Sequence, residues 1–170
     1  VQVIEETIEG AVQTGNRRPF IVGINGAQGT GKSTLAALLS SVLRQKDYRV
    51  ANLSIDDFYY SRAKRQQLAD TIHPLLRSRG VPGTHDVSLA LEVLQQLAAA
   101  GEQDKVALPR FDKSVDDCLP GEACDEIQEP VDIVILEGWF VGVKPQKESA
   151  LAQPINTLEE SEDSDGRWRA

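Results

Sequence analysis

The run Gly26-Ala27-Gln28-Gly29-Thr30-Gly31-Lys32-Ser33 constrains this chain more than any other feature. Its spacing, G-x-x-x-x-G-K-S, makes a glycine-rich turn whose backbone N–H groups can converge on one concavity, provided a strand delivers it and a helix leaves it. Both flanks comply. Phe20-Ile21-Val22-Gly23-Ile24 is an apolar strand pattern, and beyond Thr34 the residues Leu35, Leu38, Leu39, Val42 and Leu43 recur at helical spacing, predicting one apolar face. Such a concavity favours a polyanion. Gly26 through Thr34 are therefore the expected nucleotide-binding residues, with Lys32 reaching the outer phosphates and the Ser33 hydroxyl a ligand for Mg²⁺. The pattern implies ATP or a related triphosphate.

The charge balance then narrows the partners. A net charge of -8 argues against nucleic acid or an anionic membrane, so phosphate binding must come from local placement of positive groups. Apolar residues at 41% and charged residues at 26% fit one globular domain, and no run approaches the roughly 20 apolar residues needed to span a bilayer. A cytoplasmic setting is expected. Cys118 and Cys124 flank an acidic loop-like segment at a spacing that fits no common zinc pattern, and free thiols are the plain expectation. The chain contains no methionine, so Val1 reads as something other than a natural start, and a single domain over 1–170, cut short at its C-terminus, is expected.

Periodicity fills in the rest. Val1, Ile4, Ile8 and Ala11/Val12 fall at helical spacing, and Arg49–Ile55 reads as a second buried strand ending on Asp56-Asp57. Ser61 can cap a short basic helix, and Asp86 a helix whose Ala90, Val93, Leu94 and Leu97 share a face and which Gly101 closes. Arg79–Gly83 reads as a loop, Lys105–Leu108 as a short strand before a long loop carrying the cysteines, and Val131–Leu136 as the most apolar strand. Alternating strands and helices predict an α/β fold with parallel pairing, and ligands in such sheets collect at the strands' carboxyl ends. That places the phosphate loop, Asp56, Asp57, Arg110 and Glu137 on one rim.

Phosphoryl transfer needs a cradle, a metal, a group that orients the nucleophile, and positive charge where negative charge develops. Glu137 ends an apolar strand beside the loop and is the expected second Mg²⁺ residue, with a strand-end cap as the plainer alternative. A carboxylate at Asp56 or Asp57 can take the proton of an attacking hydroxyl. Side chains alternate along an extended backbone, so only one of the two should enter the site. Arg62, Lys64, Arg65, Arg77, Arg79, Arg110 and Lys113 gather between presumed strands, although each alone is more often a solvated charge. His73 and His85 can serve loop backbone as readily as ligand. Phe58, Tyr59, Tyr60 and Trp139 read as pocket wall or core.

In order, Gly26–Thr34, Ser54–Tyr59, Arg79–Asp86, Leu108–Ser114 and Leu136–Phe140 resemble the D-glycerate 3-kinase family and, more distantly, the uridine kinase, phosphoribulokinase and pantothenate kinase group. The likeness runs from about Phe20 to Trp168. It implies a P-loop NTPase-type three-layer α/β/α fold with a mainly parallel sheet, and MgATP-dependent phosphorylation of a small hydroxyl-bearing metabolite, D-glycerate foremost. It also implies that Asp56 and Lys32 are catalytic, that Ser33 and Glu137 serve the metal, and that Asp57, Tyr59, Arg79, His85 and Arg110 bind the acceptor. Relatives in that family continue beyond the point matching Trp168. A uridine-type nucleoside kinase and a non-catalytic ATP-binding module are the alternatives; a GTPase switch or ABC ATPase is disfavoured, because neither Asn-Lys-x-Asp nor Leu-Ser-Gly-Gly occurs. The oligomeric state is left open.

Overall fold

Three parallel strands carry the molecule in the order β1-β7-β2: β1 (Phe20–Asn25), β2 (Val50–Ser54) and, between them, β7 (Ile133–Gly138). The computed structural model describes residues 2–13 and 19–169, the side chains of 11–13 excepted. The remaining elements are α1 (Gln2–Gln13), α2 (Lys32–Arg44), α3 (Arg62–Thr71), α4 (Val87–Ala99), β3 (Val106–Leu108), β4 (Phe111–Asp112), β5 (Asp117–Cys118), β6 (Asp125–Ile127), α5 (Glu148–Leu151) and α6 (Thr157–Glu162).

β7 is apolar on both faces because both are covered, as expected for a central parallel strand. Ile133 and Ile135 pack with Ile8, Ala36, Leu43 and Val50 on the side of α1 and α2. Val134 packs with Ala51, Leu53, Val93 and Leu97 on the side of α4. Two cores on opposite faces of one sheet make three layers, the α/β arrangement the alternating pattern predicts. Each fully buried aliphatic side chain contributes about 1.5–3 kcal/mol. No helix among the described residues is long and apolar enough to cross a membrane.

Several expectations need correction. The α2 stripe is shifted: Ala36, Ser40 and Leu43 are buried, whereas Leu35 and Leu38 are 53% and 61% exposed. Period alone cannot choose between adjacent faces of a leucine-rich helix; the choice falls to the face that meets β7. In α1, Ile4 and Ile8 do meet that core, while Val1 and the side chains of Ala11 and Val12 lie outside the described residues. β3 does not join the parallel sheet but pairs antiparallel with β6. The expected long cysteine loop contains β5, which pairs antiparallel with β4 in the register Phe111↔Cys118, Asp112↔Asp117. Strands of two or three residues fall below what alternation can signal.

The caps behave as their residue types require. Ser61 Oγ accepts from the Lys64 N–H at the start of α3, and Asp86 Oδ1 from the Leu89 N–H at the start of α4. Within the acidic run after Leu158, Asp163 is fully buried and accepts from the Trp168 and Arg169 N–H groups at 2.8 and 3.2 Å. His73 spends both ring nitrogens on backbone: Nδ1 accepts from the Leu75 N–H and Nε2 donates to the Glu162 carbonyl.

Candidate active site

β1 ends at Asn25 and the glycine-rich turn opens directly above it. Gly31, the residue before α2, has φ 83°, a left-handed conformation that a side chain would strain. The turn closes on itself: Thr30 Oγ1 and Lys32 Nζ both donate to the Ala27 carbonyl, at 2.7 and 2.9 Å. Ser33, one residue into α2, donates its hydroxyl to Glu137 Oε1 at 2.8 Å. Register explains the reach, since Glu137 lies opposite Ile24 of β1 and Ser54 of β2 at the carboxyl ends of all three strands. It is 6% exposed.

Ser33 and Glu137 together offer hard oxygen donors from two separate elements. Among the described residues there is no cluster of three or more His, Cys, Asp or Glu able to cage a metal. Mg²⁺ suits this arrangement, because it keeps waters and phosphate oxygens as most of its ligands and needs only one or two from protein.

Beyond β2 the backbone does not stay extended. Ile55–Phe58 turns as a 3-10 helix capped by Ser54, whose Oγ accepts from the Asp56 N–H while Asp57 Oδ2 accepts from the Ser54 N–H. The argument from alternation therefore fails here, and Asp56 and Asp57 both line one cleft of about 250 Å³ with Ser33, Glu137, Arg110 and Lys113. Their partners set them apart. Asp57 is tied to its own cap and to Arg110 Nη1 at 2.9 Å, and burial pushes its carboxyl up despite those partners. Asp56 is also penalised by burial, but hydrogen bonds from Lys113 and Tyr59, with the lysine's charge, outweigh it and hold the carboxyl below the usual range. Asp56 is an ionised carboxylate at the cleft.

Gly138 fixes the neighbouring turn. A Cβ there would stand 2.7 Å from Ile55 Cδ1 and 2.8 Å from Ile55 Cβ, so only glycine lets β7 approach the turn that carries Asp56.

The basic residues sort by partner. Arg110 reaches the cleft, but its guanidinium is committed to Asp57, to Asp125 Oδ2 at 3.0 and 2.9 Å, and to the Asn52 and Pro109 carbonyls. It braces the wall, a reason to look elsewhere for the acceptor's partner. Arg65 is 1% exposed and donates to the Tyr60, Arg77 and Asp116 carbonyls. It shares the buried face of α3 with Ala69, and its charge gives no sequence signal of that burial. Arg79 ion-pairs with Asp116 and lies 5.8 Å over the Phe111 ring. Lys113 Nζ lies 2.6 Å from Asp56 Oδ2, a pairing that nothing in the sequence announces.

Tyr59 and His85 back this wall. Their rings pack at a tilt of 35° with centroids 4.3 Å apart, and Tyr59 is 4% exposed. Burial, with the charge of Asp56, pushes the Tyr59 phenol well up, so it stays protonated and donates to Asp56. Burial lowers the His85 pKa against the pull of Asp56, which keeps the ring neutral, and its Nε2 has no hydrogen-bond partner among the described residues. Phe58 belongs to the core, and Trp139 stands edge-on to Phe140. Cys118 and Cys124 are both free thiols, as expected.

The sequence matches the KAP family P-loop domain over residues 2–97. It is 41% identical over 136 residues to the uncharacterized kinase mug58 of Schizosaccharomyces pombe, covering 75% of this chain and 48% of that protein. Among solved structures, that of the YGR205w protein superposes with a TM-score of 0.78 at 33% identity, covering 99% of this chain and 60% of the other. The D-glycerate 3-kinase of Cryptococcus neoformans var. grubii superposes with a TM-score of 0.62 at 27% identity, covering 88% of this chain and 56% of the other. The chain spans about half the length of the curated relatives it matches.

Proposed function

The chain belongs to the KAP family of P-loop domains, and from that premise we propose that the protein moves the γ-phosphoryl group of MgATP to a hydroxyl of a small carboxylate-bearing metabolite, D-glycerate being the first candidate. One observation carries this reading: Ser33, Glu137 and Asp56, from three separate elements, converge on a single small cleft beside the glycine-rich turn. Phosphoryl transfer asks little covalent chemistry of the protein and a great deal of positioning, which such convergence supplies.

The loop amides and Lys32 hold the triphosphate. Ser33 and Glu137 would hold Mg²⁺, which would neutralise charge on the phosphates. Asp56 accepts a hydrogen bond from the acceptor hydroxyl and takes its proton as the oxygen attacks. Its partners leave it ionised, the state a base requires. Arg79, part-exposed beside Phe111, is the proposed partner of the acceptor's carboxylate: it pairs with one carboxylate, Asp116, through Nη1, whereas the Arg110 and Arg65 guanidinium groups are each committed to several partners. His85 Nε2 is buried and has no hydrogen-bond partner among the described residues, so an acceptor hydroxyl that reached it would satisfy an orphaned polar atom. Asp57 shapes the turn rather than touching the acceptor. A cytoplasmic setting and the lack of a nucleic-acid partner are part of the same proposal, supported by the free thiols and the net charge of -8.

The test is a product screen. The full-length protein with MgATP is given D-glycerate, pantothenate, uridine and ribulose 5-phosphate separately, and ADP release is followed. Acceptor-dependent ADP formation strongest with D-glycerate supports the reading. Selectivity for uridine moves the function to a nucleoside kinase, and no acceptor-dependent turnover defeats it.

A further inference from the structure

Lys113 is the feature of the cleft that the reading above leaves unused. It stands in the connection between β4 and β5, and the structure fastens that hairpin from several sides. The Asp116 carbonyl accepts from buried Arg65 at 2.7 Å, and the Asp116 carboxylate pairs with both Arg65 and Arg79. Asp116 itself holds φ 58°, an unfavourable conformation for a non-glycine residue that the fasteners must offset. Asp117 Oδ1 accepts from the Arg62 N–H, the Leu119 N–H donates to the Arg110 carbonyl, and Asp112 Oδ1 accepts from both the N–H and the hydroxyl of Ser114. The backbone beneath Lys113 is thus held while its side chain, 58% exposed, extends to Asp56.

An exposed ion pair adds little to stability once the ordering of its two side chains is counted. Stability is a poor account of the contact, and its place in the cleft is a better one. The two cations lining the cleft are Arg110 and Lys113. Arg110 is committed to two carboxylates and two carbonyls. Lys113 spends one of three N–H donors on Asp56 and, among the described residues, has no other partner.

We propose that Lys113 is a catalytic residue that exchanges Asp56 for the transferring phosphoryl group during turnover. This rests on the phosphotransferase reading. A hydroxyl poised for transfer lies roughly 2.6–3.2 Å from its base and about 3–3.5 Å from phosphorus. The ammonium, already bonded to that base, therefore stands on the side of the cleft where transfer takes place, and its flexible stem can carry it to a phosphoryl oxygen. In the step itself the acceptor oxygen bonds to the γ-phosphorus and the bond to the β,γ-bridging oxygen breaks. ADP leaves with that electron pair, and the hydroxyl proton passes to Asp56. Asp56 thereby loses its charge. Lys113 keeps its proton and turns to the phosphoryl oxygens, whose charge it stabilises as the carboxylate disappears.

Lys113→Ala in the full-length protein tests this. The expected result is a fall in kcat of ~10²-fold, with the KM for ATP within about threefold of wild type, since the contact forms only with the acceptor in place. Added methylamine or ethylamine restores part of the lost kcat by refilling the ammonium site, and Lys113→Arg retains part of it. A Lys113→Ala enzyme as fast as wild type overturns the proposal, as does a loss that no amine restores. A wild-type protein that binds MgATP yet phosphorylates none of the acceptors removes the phosphotransferase reading and the role of Lys113 with it. An active wild type beside an equally active variant removes the role alone.

Discussion

Ser33 and Glu137 stand 104 residues apart in sequence, yet the serine hydroxyl donates to the buried carboxylate across 2.8 Å. The contact joins the helix leaving the phosphate loop to the central strand, and the proposed Mg²⁺ role rests on these two side chains. Glu137→Gln keeps the shape and removes the charge. The expected outcome is retained folding with turnover reduced ~10²-fold or more, and loss of the Mg²⁺ dependence of ATP binding in calorimetric titrations. Stripping divalent ions from the wild type with a chelator is expected to reduce turnover by a similar factor and to weaken ATP binding. ATP binding equally strong with and without Mg²⁺ contradicts the assignment.

Asp56 and Asp57 are neighbours with different partners, and their amides should separate cleanly. Asp56→Asn is expected to bind ATP normally and lose ~10²-fold or more in kcat. Asp57→Asn removes a carboxylate that receives the Ser54 N–H and pairs with Arg110, so it should cost about 1–3 kcal/mol in stability, read by urea unfolding. Full activity in Asp56→Asn with none in Asp57→Asn reverses the two roles.

The pH profile follows from the groups around Asp56, which are Lys113, Tyr59 and His85. Burial opposes its charge, and the hydrogen bonds and charge of Lys113, with Tyr59, reverse the balance. A base works only when ionised, so kcat/KM should be flat around neutrality and fall only as the pH drops below the ordinary carboxylate range. In Lys113→Gln burial prevails and the acid limb moves to higher pH. An unmoved limb means that Asp56 is not the titrating base.

His85 is held neutral by burial, with the charge of Asp56 opposing. Its folded pKa lies below the unfolded value, so the unfolded chain binds the proton more readily. That contribution to stability is intact above about 6.5 and is lost as the pH falls through the unfolded and then the folded value. NMR of the imidazole should show a neutral ring at pH 7 with a midpoint below that of a free histidine. A raised midpoint contradicts the packing of His85 against Tyr59 and, edge-on at 5.2 Å between centroids, Phe140.

Gly138→Ala should push Ile55 and the turn that carries Asp56, since the new Cβ meets the Ile55 side chain at 2.7–2.9 Å. Overpacking of this kind costs about 1–3 kcal/mol. The lost stability should come with a lower kcat. An Ile55→Ala change in the same chain should relieve part of both, and unaffected stability shows the close approach to be absent.

Legibility from sequence followed the range of each signal. The glycine-rich turn, β1, β7 and the Asp86 cap are written in adjacent residues, and each stands where local pattern places it except β7, which begins and ends two residues later than Val131–Leu136. The rim was legible too, because Glu137 and Asp56 follow apolar strands. What sequence reading lost was long-range. The fastening of Arg65 to Asp116, the commitment of Arg110 to Asp57 and Asp125, and the pairing of Lys113 with Asp56 depend on a hairpin of two-residue strands with no periodicity to read. The turn at Ile55–Phe58 was missed for a related reason. An apolar run followed by two acids continues equally well as strand or as capped turn, and the Ser54–Asp57 capping box decides it.

The most direct test of the whole account is phosphorus NMR of the full-length protein with MgATP and D-glycerate. A phosphomonoester resonance growing at the expense of the γ-phosphate signal, abolished by Asp56→Asn, is the expected result. Release of inorganic phosphate alone, or an ester formed as quickly by the Asp56→Asn protein, contradicts it.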